Sequence, residues 1–179
     1  IGTTLGIVAA RNDWFSRIMR PINDTLQTMP AFVLRIPIVM LFKIGDFTAL
    51  LAIVLYACVP AFRYAEHGLR QVSTETVEAA TSLGATPMQL LFQVRLPLAL
   101  PNLMLGLNQT IMYGISMLVI TALVGTNDLG QEVYIGLSAG NFGQGFIAGI
   151  GMAIIAITAD RFCRAWQYNH AAKLQKGAV

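Results

Sequence analysis

Residues 44–64 form an apolar run that reaches about 30 Å as a helix, the thickness of a bilayer's hydrocarbon core. Similar runs occupy residues 25–42, 102–125 and 141–159, and residues 1–10 read as the tail of a fifth. The chain opens on Ile1 inside that apolar stretch with no basic segment before it. It therefore reads as a fragment whose first span begins earlier, and not as a signal peptide. Only 12% of the 179 residues are charged and 55% are hydrophobic, whereas soluble domains carry about a quarter charged residues. Mean hydropathy is +0.62. The expectation is an all-α, polytopic membrane protein of about five spans, with residues 1–179 forming one transmembrane domain.

Gly2 and Gly6 form a small-xxx-small pair suited to close helix packing. Trp14 and Phe15 follow as interfacial anchors or incidentally buried rings. In the 25–42 run, Pro30 and Pro37 predict kinks whose freed carbonyls must find neighbours or water. Arg35 stands near the middle of that run, where a charge costs at least ~2.5 kcal/mol. Either it faces a cavity or partner, or the helix is offset and the guanidinium snorkels to an interface; the second reading is favoured. His67 lacks neighbours at metal-ligand spacing and reads as a solvated loop residue. Cys58 and Cys163 read as reduced thiols without a role.

In the 102–125 run, Asn102, Gly106, Gln109, Tyr113 and Ser116 recur on one helical face. Unsatisfied amides in hydrocarbon are costly, so this stripe faces protein or water. It is either glue between helices or, at Asn102, Gln109, Tyr113 and Ser116, the lining of a translocation path. Residues 126–140 are a polar turn region with Asp128 and Glu132. In the last run Gly145, Gly149, Ala153 and Ala156 suggest a close-packing side. Trp166 and Tyr168 are candidate interfacial aromatics beyond it.

Between two spans, residues 74–101 carry the signals of two short helices and a sharp turn. Ser73 or Thr74 can cap the first, with Glu75 and Glu78 near its positive end. Gly84 supplies a left-handed stop after Leu83. Thr86 caps a second helix, Pro87 fits its first position and Gln89 completes a capping box. Pro97 and Pro101 are expected to punctuate its exit, leaving a helix over 87–96 of about 15 Å, too short to span. Such a unit between spans looks like a docking surface.

Alternating five spans collects Arg11, Arg17, Arg20, Arg63, Arg70, Arg95, Arg161, Arg164, Lys173 and Lys176 on one side. Lys43 alone falls on the other, and Arg35 lies within a span. The positive-inside rule makes the rich side cytoplasmic, and with it the 74–101 stretch and the C-terminal tail. The sequence has no phosphate-binding G-x-x-x-x-G-K-[ST], no nucleophile–base constellation and no metal-ligand spacing. Nor does it have a basic, aromatic-interleaved block for nucleic acid. The polypeptide is not expected to be an enzyme.

Glu78-Ala79-Ala80, Gly84 and the later Leu96-Pro97 resemble the EAA loop of permease subunits in ATP-binding-cassette importers. The segments beginning at Leu26, Gly84 and Leu129 further resemble permeases for glycine betaine, proline betaine and choline. Relatives commonly carry Gly-Gly-Leu-Gly where this chain has Asn127-Asp128-Leu129-Gly130, so only the Leu-Gly part matches. The resemblance implies a type I, methionine-permease-like helical bundle in a bacterial cytoplasmic membrane. Residues 63–101 would be its cytoplasmic coupling loop, with Glu78, Ala79, Ala80, Leu83, Gly84, Met88, Phe92, Leu96 and Pro97 engaging an ATPase subunit. It also implies a second permease copy and a substrate-binding protein outside, with ATP and Mg on the ATPase and no cofactor in this chain. Tyr56 and Tyr113 would then either pack or contact a cation in transit. Alternatives are the same importer class with another substrate, such as an amino acid, or a channel or scaffold without a motor.

Overall fold

The computed structural model describes the backbone of residues 1–122 and 128–176 and the side chains of residues 1–122 and 128–166. Every regular element among them is helical. In chain order these are α1 (Gly2–Arg11), α2 (Asp13–Thr28), α3 (Ala31–Phe42), α4 (Asp46–Arg70), α5 (Thr74–Ser82) and α6 (Pro87–Gln89). A π-helical turn (Leu90–Arg95) then leads into α7 (Leu96–Thr121), followed by α8 (Leu129–Ser138) and α9 (Phe142–Lys176). The end of the predicted 102–125 run, Thr126 and Asn127 of the polar turn, and the side chains of Tyr168, Lys173 and Lys176 lie outside the described residues.

Among the described residues three stretches are long and apolar enough to cross a membrane: Asp46–Arg70, Pro87–Thr121 and Phe142–Trp166. A fourth arises only if α2 and α3, bent by 100° to each other, count as one broken span. The expected tail at residues 1–10 is α1, and the change falls on the expected span over 25–42. α1, at 10 residues, is about 15 Å long. The 25–42 run is not one kinked helix: Met29 (φ −67, ψ 131) and Pro30 (φ −55, ψ 134) are both extended. Proline disfavours helical backbone at the residue before it, so α2 ends there and the chain turns.

The centre of the bundle is the α4–α7 pair, with α1 against α4 and α9 against α7 and α8. Small residues set how closely these helices approach. A Cβ on Gly2 would lie 2.5 Å from the Cys58 carbonyl oxygen, and one on Gly6 2.5 Å from that of Phe62. The Gly2/Gly6 pair is thus the α1–α4 contact its spacing predicts. On α9 the expected small-residue side is only partly used. Gly145 meets Gly136 of α8, whereas Gly149 has open space where a Cβ would stand and Ala153 is exposed. The buried side of α9 runs instead through Ala148 and Met152.

Two further expectations change. Pro97 and Pro101 do not end the helix that starts at Pro87, which continues to Thr121. In the π turn the Leu96 amide bonds to the Leu91 carbonyl five residues back. Pro97 follows directly on this π turn, where the hydrogen-bond register of the helix has already shifted. His67 lies on the last turns of α4, exposed but not in a loop.

Arg35 does not snorkel. It is 2% exposed, and its Nη1 donates to the Ile120 carbonyl in the last turn of α7. Helix C-termini carry partial negative charge from their free carbonyls, and Asp128 adds an attractive charge nearby. Nε and Nη2 are buried without a hydrogen-bond partner among the described residues.

Candidate functional site

The turn between α5 and α6 is built from local chemistry. The Ser73 hydroxyl oxygen accepts from the Thr76 amide at 3.4 Å, capping α5. At its other end Gly84 has φ +84, its amide reaches Thr81 O at 2.9 Å, and the Ala85 amide reaches Ala80 O at 3.2 Å. These are the paired bonds of a Schellman stop. Thr86 and Gln89 then close a reciprocal capping box with Pro87 in the first helical position.

The result is a rigid tip with its apolar side chains turned outward. Leu83 is 90% exposed, Met88 59% and Phe92 57%. Glu78 and Ala79 are exposed as well, while Ala80, Leu96 and Pro97 are half-buried. Glu78 is in none of the ion pairs found among the described residues. The tip is tied down by Leu91, which is buried with Leu69 and Ala99 and flanked by Ile7, Ala10 and Leu96.

The polar stripe on α7 divides. Asn102 packs against Gly68 and donates to Gln71 Oε1 at 3.2 Å. Gly106 lies against Tyr64; a Cβ there would be 2.7 Å from the Tyr64 Cβ. Gln109 and Tyr113 line a cleft of about 380 Å³ with Gln27 of α2 and with Arg63, Tyr64 and His67 of α4. Ser116 is exposed and its hydroxyl donates to Met112 O at 2.9 Å. The rings of Tyr56 and Tyr113 lie tilted against each other, centroids 5.6 Å apart. Gln109 and Tyr113 therefore share a cavity wall, while Asn102 packs between helices and Ser116 bonds its own helix.

Glu66 is a residue that sequence reading passed over. It is 5% exposed, accepts from the Ser16 hydroxyl at 2.5 Å, and pairs with Arg20 at 2.9 Å and with Arg70 at 3.1 Å. Arg70 also bonds Asp13 at 2.7 Å, and Arg63 pairs with Asp24. Only the Glu66/Arg70 spacing was readable along the chain. On the α7–α9 contact, buried Asn108 donates to Asp160 at 2.8 Å, and Asp160 pairs with Arg164 at 2.9 Å. Among the described residues no cluster of three His, Cys, Asp or Glu could hold a metal.

Membrane-length apolar helices around a close-packed pair, with a capped, exposed turn between two of them, define a polytopic helical membrane protein. The chain belongs to the family of binding-protein-dependent transport system inner membrane components, whose pattern matches residues 2–176. It is 45% identical over 173 residues to the glycine betaine/carnitine transport permease protein GbuB of Listeria monocytogenes serotype 1/2a (strain 10403S), covering 97% of this chain and 61% of GbuB. It is 42% identical over 165 residues to the glycine betaine/proline betaine transport system permease protein ProW of Escherichia coli (strain K12), covering 92% of this chain and 47% of ProW. The chain thus spans about half to three-fifths of the length of these relatives. Its fold is similar to an inward-facing structure of the MetNI methionine ABC transporter, with TM-score 0.75 and 25% identity over 92% of this chain and 85% of that one.

Proposed function

We propose that this chain is the membrane-spanning part of an ATP-driven bacterial importer for small methylated-ammonium osmoprotectants, glycine betaine and proline betaine first and choline next. The observation that carries this reading is the rigid α5–α6 tip, with Leu83, Met88 and Phe92 exposed, in a chain 45% identical to a glycine betaine/carnitine permease. Exposed apolar side chains on a tip fixed by Leu91 suit a groove on a cytoplasmic ATPase, which would hold ATP and Mg and supply the energy. Arg11 reaches Met88 of the tip and Arg20 and Arg70 meet at Glu66, and this gathering of basic residues at the tip's end of α4 argues that the tip faces the cytoplasm. A second copy of the chain would complete the pathway, and an extracytoplasmic binding protein would deliver the substrate.

An amino-acid substrate is the second reading, favoured by the fold's likeness to a methionine transporter. Uptake of labelled glycine betaine, proline betaine, choline and methionine by cells carrying the complete transporter separates the two. Betaine uptake that requires the ATPase, together with ATPase copurification, is the expected result. Methionine uptake alone supports the second reading, and no copurifying ATPase would leave a motor-free channel.

A further inference from the structure

We infer that the cleft between α2, α4 and α7 is a transit site for a zwitterion. It holds a quaternary ammonium against Tyr64 and Tyr113 and a carboxylate at Arg63. The inference rests on the functional reading above and deepens it, because it favours carboxylated betaines over carboxylate-free cations such as choline.

The cleft, at about 380 Å³, falls in the range of roughly 300–1,000 Å³ usual for small-molecule sites. Its α4 wall follows one helical face: Arg63 and Tyr64 lie three and four residues past Pro60, and His67 one turn further. Gln109 and Tyr113, four apart, form the α7 wall. Both rings are held. Tyr64 is fixed where Gly106 lets the helices meet, and Tyr113 is backed by Tyr56 at 5.6 Å.

The chemistry of the ligand follows from what the walls offer. A quaternary ammonium has no N–H to donate, so aromatic faces are its natural partners. No Asp or Glu among the described residues lines this cleft, and Asp24 is already paired with Arg63. A bare cation would therefore find no free carboxylate on these walls, only a guanidinium already paired with Asp24. The carboxylate of a zwitterion can use that guanidinium, because it has five N–H donors and the Asp24 pair occupies only part of them. The Arg63 side chain is 43% exposed, so those donors remain within reach of a solute entering from the cleft mouth.

The test uses the assembled transporter in proteoliposomes, with its ATPase and binding protein. Arg63→Gln and Tyr113→Leu should each lower the maximal rate of glycine betaine uptake about tenfold. The half-saturating concentration, set outside by the binding protein, should not move. A cysteine variant, Gln109→Cys, should be labelled by a small water-soluble thiol reagent, and millimolar glycine betaine should slow that labelling while choline does not. Arg63→Gln in that background should abolish the protection. Absence of betaine uptake by the wild-type transporter overturns the functional reading itself. Normal uptake with unchanged rates in both variants, or labelling of Gln109→Cys that choline slows as well as glycine betaine does, overturns the transit site alone.

Discussion

Lys43 stands in the turn between α3 and α4 with φ 66 and ψ 178, a region that glycine occupies without strain and other residues do not. The conformation is held by its neighbours, since the Thr48 hydroxyl donates to Lys43 O at 2.6 Å. The local cost is about 1–3 kcal/mol, so Lys43→Gly should raise the thermal midpoint of the detergent-purified protein by a few degrees. An unchanged midpoint would show that the backbone there is relaxed. Arg35 makes the opposite case, a charge retained where hydrocarbon disfavours it. Two of its nitrogens have no hydrogen-bond partner among the described residues, so Arg35→Met should preserve folding, since replacing a buried polar group by an apolar one of similar volume is often neutral. Arg35→Glu places a negative charge beside Ile120 O and Asp128 and should abolish assembly. Size-exclusion profiles of the two variants decide this, and equal profiles would refute it. At Gly84, where φ is +84 and no atom lies within 4 Å of a would-be Cβ, a side chain acts only through the backbone. Gly84→Val should therefore leave the chain in the membrane while ATPase copurification is lost. Wild-type copurification would reduce the tip to a connector.

At the scale of elements, what could be read from the chain was what is decided within a few residues. Ser73, Gly84 and the Thr86–Gln89 box each act over six residues or fewer, and each cap forms as its spacing predicts. The continuous helix past Pro97 was not readable, because a π turn depends on how Leu91 is seated against Leu69 and Ala99. Nor was the Glu66 cluster, since Ser16 is fifty residues away and meets Glu66 only once α2 has folded back on α4. The polar stripe of α7 was half legible: helical period put four polar residues on one face, but packing alone decided that Gln109 and Tyr113, not Asn102, border the cleft. The Glu66 cluster carries its own expectation. Glu66→Ala leaves the buried Ser16 hydroxyl without its acceptor, while Arg20, largely exposed, can turn to water. The loss should be about 1–2 kcal/mol. A double-mutant cycle with Ser16→Ala should show a coupling above ~0.5 kcal/mol in thermal unfolding; strict additivity would mean the hydrogen bond contributes nothing.

At the scale of the whole molecule, the 35-residue stretch Pro87–Thr121 is the element that joins tip to cleft. As one helix it is about 50 Å long, well beyond the ~30 Å hydrocarbon core, so its first turns project with Met88 and Phe92 while its middle carries Gln109 and Tyr113. Motion of a docked ATPase would thus reach the cleft through one rod, steadied by the Leu91 cluster and by α4, whose Tyr64 touches Gly106. Stiffness of the junction is then as necessary as the docking surface. Replacing half-buried Val94 and Leu96 together by glycine costs about 1 kcal/mol of helix propensity per site relative to alanine and loosens the junction without touching Leu83, Met88 or Phe92. The alanine pair removes the same side chains and keeps the helix stiff, which makes it the control. The glycine pair should retain the ATPase and its hydrolysis, yet move several-fold less substrate per ATP than the alanine pair. Equal ratios in the two variants would mean that the rod is not the path of coupling, and a matching loss in the alanine pair would assign the effect to the packing of Val94 and Leu96.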